Sequence, residues 1–213
     1  YNLFIYLSIM DKVLLSTTYF GPIQWYQKLN RYTTVAMERW DNFQKQTYRN
    51  RCIIPTTNGE QALSIPVEKF ETTKCPMTDV RISDHGNWRH LHWNALQSAY
   101  GESPFFEYYE DDIRPFFEKK WDFLFDFNLE ITQKMCELID ISPNITLTDE
   151  FVLEPAEDIL DLRDAIRPKH PTLDPDFVAK PYYQVYQQKH GFKANMSILD
   201  LLFNEGNEAV FYL

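Results

Sequence analysis

At 213 residues the chain is long enough for one large domain, and its 44% hydrophobic and 16% aromatic content argue against disorder. Its net charge of -10 is unevenly spread: acids outnumber bases more than twofold in residues 110–176, whereas bases outnumber acids between Lys12 and Arg89. This division suits a small anionic ligand on the N-terminal half and disfavours a duplex nucleic acid, whose phosphates the acidic remainder would repel.

Residues 1–10 are apolar but too short to span a bilayer, and they lack the basic flank and cleavage site of a signal peptide. Met10 reads as the natural start, residues 1–9 as an upstream extension and 10–213 as a single domain. Val13 to Phe20 is rich in β-branched and aromatic residues and predicts a strand, broken by Gly21-Pro22. Residues 23–31 predict a helix, and Thr33 to Trp40, Thr47 to Ile54, Ala62 to Val67 and Met77 to Ile82 predict strands. Asn58-Gly59 predicts a hairpin between two of them. From Asn87 the period becomes helical, with Trp88, Leu91, Ala95 and Ala99 near one face and Gly101 as a left-handed stop. A second helical region starts at Asp111 or Asp112, is limited by Pro115 and continues from Phe116 to Ile139. Ile145 to Leu153 alternates like a strand. The proline- and acid-rich stretch after it reads as a loop with one short helix near Ile159 to Arg163. Tyr182 to Gln187 and a helix capped by Ser197 close the chain. The expected class is α/β: a mixed sheet in the N-terminal half with helices packed on it, a helical middle and a small C-terminal strand-helix unit.

Chemistry could sit in four places. The turn from Tyr19 to Gln24 joins a strand to a helix, where α/β proteins often bind ligands and anions; a plain loop is the alternative. Lys45, Tyr48, Arg49, Asn50 and Arg51 combine bases, an amide and a ring, and paired arginines suit phosphate or carboxylate. Exposed arginines on a strand would look the same. In Trp88-Arg89-His90-Leu91-His92-Trp93 the two histidines point about 200° apart on a helix, so they cannot share a metal, although either could act as a base. Asn195 could turn its amide toward a ligand, or Asn195 to Asp200 could simply cap a helix. Cys52, Cys75 and Cys136 show no metal spacing and no neighbouring base on their own face, so none is expected to be a nucleophile. Such a sparse, odd set suits a reducing cytoplasm.

Three segments carry a resemblance: Tyr19 to Leu29 (YFGPIQWYQKL), Phe43 to Ile54 (FQKQTYRNRCII) and Trp93 to Tyr109 (WNALQSAYGESPFFEYY). With the series Trp88, Tyr100, Pro104, Phe106 and the closing Asn195-Met-Ser-Ile-Leu-Asp200, the chain resembles the WbqC-like family over roughly residues 12–210. Two departures stand out: Cys52-Ile53 occupies the place of a second Asn-Arg, and Asn42 that of a second acid. The resemblance implies a cytoplasmic bacterial protein of surface-polysaccharide biosynthesis that transfers an acyl or aminoacyl group to a nucleotide-linked amino sugar. Under an enzyme reading, Asp41, His90 or His92 is the candidate proton-transfer group, and Tyr19, Gln24, Lys45, Tyr48, Asn50, Arg51, Trp88 and Asn195 are the candidate substrate contacts. The resemblance names no cofactor and no metal. The alternative is a non-catalytic module binding an anionic sugar or a protein partner.

Overall fold

Val13, Leu14 and Leu15 are buried on both faces, as a central parallel strand requires. They lie in β1 (Lys12–Ser16), which leads through α1 (Ile23–Arg31) to a parallel neighbour, β2 (Thr34–Glu38). The computed structural model describes residues 11–213, so the proposed extension 1–9 and the start at Met10 lie outside the described residues. Two short strands, β5 (Ile145–Leu147) and β6 (Ile159–Asp161), complete a four-stranded parallel sheet in the order β5-β2-β1-β6. The chain builds outward from β1 to β2 to β5, then returns to the other side of β1. Strand order therefore reverses between β1 and β6, and in such sheets the crevice outside the carboxyl ends at that point is where ligands bind.

The antiparallel part is a separate ribbon. β3 (Arg51–Thr56) and β4 (Gly59–Ser64) form the expected hairpin, but its two-residue loop is Thr57-Asn58, with Gly59 at φ 111° opening β4. The helical middle comprises α2 (Trp88–Tyr100), α3 (Phe106–Ile113), the single turn α4 (Pro115–Glu118) and α5 (Leu124–Leu138). Two short elements finish the fold: α6 (Gln187–His190) and α7 (Ile198–Glu205), the latter running into a 3-10 turn over Gly206–Tyr212. α2 and α7 both pack on β3, and α1 packs on α7.

The α/β class, the parallel-plus-antiparallel composition and the helical middle match expectation. Several local readings do not. Met77–Asp79 is a 3-10 turn rather than a strand, and only its Met77 is buried. Ile159–Asp161 is a strand and not a short helix, because hydrogen bonding to β1 outweighs its weak helical pattern. Gly101 has φ -56° and stays in the right-handed region, so it is no left-handed stop. As expected, Pro115 limits the helix before it: α3 starts at Phe106, ahead of the expected Asp111 or Asp112, and ends at Ile113, and Pro115 opens α4; residues 119–123 break the run expected to be continuous from Phe116 to Ile139. The strand expected from residue 47 begins at Arg51, the one from 145 stops at Leu147, and Tyr182 to Tyr186 is irregular.

Candidate functional site at the carboxyl edge of the sheet

At the carboxyl end of β1 the chain runs Ser16-Thr17-Thr18, three small hydroxyl residues that are all buried. With Arg49, Tyr48, Arg163 and Ile166 they line a nearly closed chamber of about 10 Å³ between the ends of β1 and β6. That is room for one water at most. The hydroxyls of Thr17 and Thr18 are buried without a hydrogen-bond partner.

Asp41 lies beside this chamber. Its Oδ2 accepts from Ser16 Oγ (2.8 Å) and from Arg49, which donates through Nε (3.0 Å) and a terminal nitrogen. Its Oδ1 is buried and idle. Burial raises the carboxyl's proton affinity, and the Arg49 cation opposes that rise. Glu38, fully buried at the end of β2, is by contrast saturated. It accepts from the Trp40 and Val152 backbone, the Thr148 hydroxyl and Arg163. Arg163 also donates to Asp161, so Glu38 and Arg163 tie the exits of β2, β5 and β6 together.

A second cavity of about 580 Å³ adjoins the chamber through Tyr48. Its walls are Gln24 on α1, Asn195 before α7, and an irregular strap, residues 164–178, that supplies Arg167, Thr172 and Asp174. The N-terminus of α1 does not point free donors into it. Gln24 N–H donates to Asn195 Oδ1 (2.9 Å) and Ile23 N–H to the Met196 carbonyl (3.0 Å). Asn195 is thus the cap of a helix 171 residues earlier in the chain. Phe20 (φ 41°) and Asn195 (φ 56°) hold left-handed conformations on the two sides of this junction, uncommon for residues with side chains. Ser197 Oγ donates to the Phe20 carbonyl and, as expected, caps its own helix by accepting from Leu199 N–H.

Of the residues singled out in the sequence, Gln24, Tyr48 and Asn195 meet in this cavity, and Asp41 lies behind Tyr48 and Arg49. The others go elsewhere. Tyr19 and Trp88 are buried core rings and present no face for stacking. The Tyr19 hydroxyl donates to His92 Nδ1 (2.8 Å), taking the Nε2–H tautomer of the ring. Burial pushes His92 down to about 4, so it is neutral and enclosed. His90 is exposed in a different cleft with Arg89, Trp93 and Arg114, its Nε2 against Asn94 (2.9 Å). Lys45 is exposed. Asn50 donates to the Ile65 carbonyl (2.8 Å) and Arg51 to Ser64 Oγ (2.9 Å), both holding the ribbon. Cys52 is buried, its thiol pushed well up by desolvation, which agrees with a non-nucleophilic role.

Residues Ser16 to Thr18, Arg163, Lys28 and Asp174 escaped the sequence reading. The run Ser-Thr-Thr directly after an apolar strand was the available signal, given the rule that ligands bind at carboxyl ends. Nothing in the sequence marks Lys28, since a lysine on a helix is by default solvated.

A family model described as the WbqC-like protein family matches residues 17–170. The chain belongs to that family. The match includes Asp41, Arg49 and the chamber apart from Ser16, and ends before Asp174 and the Asn195 element. Among curated proteins this WbqC-like chain is similar to the uncharacterised protein Rv1507c of Mycobacterium tuberculosis (strain ATCC 25618 / H37Rv). The two are 28% identical over 198 residues, which covers 80% of this chain and 83% of the relative. No solved structure gives a significant match. No helix among the described residues is long and apolar enough to cross a membrane.

Proposed function

We propose that this WbqC-like protein binds a nucleotide-linked amino sugar at the carboxyl edge of its sheet and transfers an acyl or aminoacyl group onto the sugar's amine. The observation that carries the reading is the state of Asp41. One oxygen is anchored by Arg49 and Ser16, the other is idle, and burial raises its proton affinity. A carboxylate held in that way suits the role of proton acceptor. The adjoining cavity has a volume in the range that small-molecule sites occupy, with Tyr48, Gln24, Asn195 and Arg167 on its walls. In the reaction the neutral amine attacks the acyl carbon of a thioester or ester donor. A C–N bond forms and the C–S or C–O bond breaks. Asp41 takes the amine proton and returns it to the departing thiolate or alkoxide. His90 and His92 have no part in this scheme.

The second reading, a non-catalytic module for an anionic sugar, is favoured by a specific fact: the idle oxygen of Asp41 is buried and Asp41 lines neither the chamber nor the larger cavity. One experiment separates the two. Nucleotide-linked amino sugars are screened by thermal shift, and product is sought by mass after addition of an activated acyl carrier. Asp41→Asn should lower transfer at least ~100-fold yet keep the ligand-induced rise in melting temperature, because the Asn carbonyl still accepts from Arg49 and Ser16. Transfer that persists at the parent rate in Asp41→Asn would remove Asp41 from the mechanism. A rise in melting temperature with no product would favour the binding module, and no rise with any nucleotide sugar would sink both.

A further inference from the structure

Lys28 is 0% exposed, on the face of α1 that also carries Gln24. An ammonium has three donors and no acceptor. In this structure Nζ makes no aligned hydrogen bond; its partner is a single ion contact, 2.7 Å, to Asp174 Oδ2. The same oxygen accepts from Gln24 Nε2 (2.8 Å). Asp174 Oδ1 is occupied by the backbone N–H of Asp176 (3.1 Å) within its own turn. One carboxylate oxygen from the strap therefore plugs a buried cation and an amide donor, and Asp174 is also a wall of the 580 Å³ cavity.

The strap has no helix or strand from residue 164 to 178; Ile166 is buried in the core and Phe177 packs on it, whereas Leu173 and Val178 are exposed. Its hold on α1 is largely polar: Asp174 on Lys28 and Gln24, and the Asp176 carbonyl and carboxylate on Gln27, Arg31 and Tyr32. Burying an ion pair is a costly way to fasten a loop, since apolar residues of similar size commonly serve as well or better. A lysine buried directly behind a cavity-lining carboxylate, with donors unspent, suits a role in binding.

We infer that Lys28 and Gln24 form an oxyanion subsite for the ligand, and that Asp174 occupies it in this structure as a built-in substitute. A phosphate or carboxylate group of the ligand takes the place of the Asp174 carboxylate, offering Lys28 and Gln24 several acceptor oxygens instead of one. Release of Asp174 frees the strap, the element that closes both the cavity and the Asp41 chamber. The inference rests on the proposed ligand site at the carboxyl edge, not on the transfer chemistry.

Inorganic phosphate is the probe, with chloride at matched ionic strength as control. Asp174→Asn leaves the subsite unpaired, so millimolar phosphate should raise its melting temperature by several degrees and that of the parent by much less. The paired replacement Lys28→Met with Asp174→Leu should show no phosphate-dependent rise. An Asp174→Asn protein that responds to phosphate no more than the parent, or equally to chloride, would overturn the subsite. Should Asp174→Asn fail to fold, the parent decides: high phosphate should speed amide hydrogen exchange in residues 172–178, and unchanged exchange there counts against the inference. Phosphate binding that passes these tests while Asp41→Asn keeps parental transfer would leave the subsite standing and the Asp41 mechanism fallen. Failure of the phosphate response overturns the subsite whatever the transfer assay gives.

Discussion

Two buried acids, Asp41 at the carboxyl edge and Asp200 in the first turn of α7, share one physical cause and differ in how their surroundings answer it. Burial raises the proton affinity of both. Asp200 has no cation beside it. Both its oxygens are engaged by neutral donors, the Tyr182 hydroxyl and Gln184 amide on one and the Asn204 amide on the other, with the Tyr100 hydroxyl close by but not aligned for a bond. Asp41 has the Arg49 guanidinium and an unused oxygen. The first arrangement locks the Tyr182-to-Gln184 segment onto α7. The second holds a charge at the rim of a chamber whose threonine hydroxyls are also unpaired. A saturated acid reads as architecture, an acid with an open oxygen beside a closable cavity as a site.

The largest expected effect breaks the charged pair. Arg49→Met removes the cation bonded to Asp41 and leaves a buried carboxylate, for which the usual cost is about 3–5 kcal/mol. Urea unfolding of the variant should show that loss. The double variant Arg49→Met with Asp41→Leu should recover a large part of it, because no uncompensated charge remains. A loss below about 1 kcal/mol for Arg49→Met would mean that Asp41 is already neutral in the folded protein, within the range of an ordinary neutral hydrogen bond. That outcome would erase the distinction drawn between the two acids.

The next effect uses pH. Burial lifts Asp200 from 3.8 to about 6 in the folded chain, its hydrogen bonds opposing the rise. Between those values the folded form keeps a proton that the unfolded form has lost. Its contribution to stability therefore falls as pH rises through that window and stays level above about 6. The loss is on the order of 2–3 kcal/mol. Asp200→Asn cannot titrate, so the parent-minus-variant difference in unfolding free energy should become less favourable to the parent from acid to neutral pH. A difference that is flat across the window would show that Asp200 ionises at its ordinary value.

How much of this could be read from the sequence differs between the same two regions. At the C-terminal corner Ser197 and Asp200 announced a helix start, and Ser197 does cap it. At the carboxyl edge the strand and the turn were legible from VLLSTTYF and Gly-Pro, because local propensity and breakers are short-range signals. What β1 meets there was not. Arg163 and Asp161 arrive from almost 150 residues away, and β6 was read as helix because three residues carry too little pattern to separate the two. Tyr19 and Trp88 looked like stacking rings, since an aromatic in a motif has the same letter whether it faces a ligand or the core. Lys28 was silent for the opposite reason: its burial depends on a strap that nothing local connects to it.

The smallest expected effect concerns Asn195, which joins the two regions by capping α1 from the threshold of α7. Asn195→Gly keeps the left-handed backbone at φ 56° without strain and removes the side-chain cap and the bond to Gln24. Loss of one such cap should cost about 1 kcal/mol. Asn195→Ala loses the same bonds and adds strain at positive φ, so it should be the less stable of the two. Because Gln24 also holds Asp174, losing its tie to Asn195 should loosen the strap as well as the helix. Hydrogen exchange in Asn195→Gly tests this directly: residues 172–178 and the first turn of α1 should both speed up, while the amides of α7 around Asp200 should not. Acceleration confined to α7 would place Asn195 with the architectural corner and show that the strap does not depend on the Asn195–Gln24 tie.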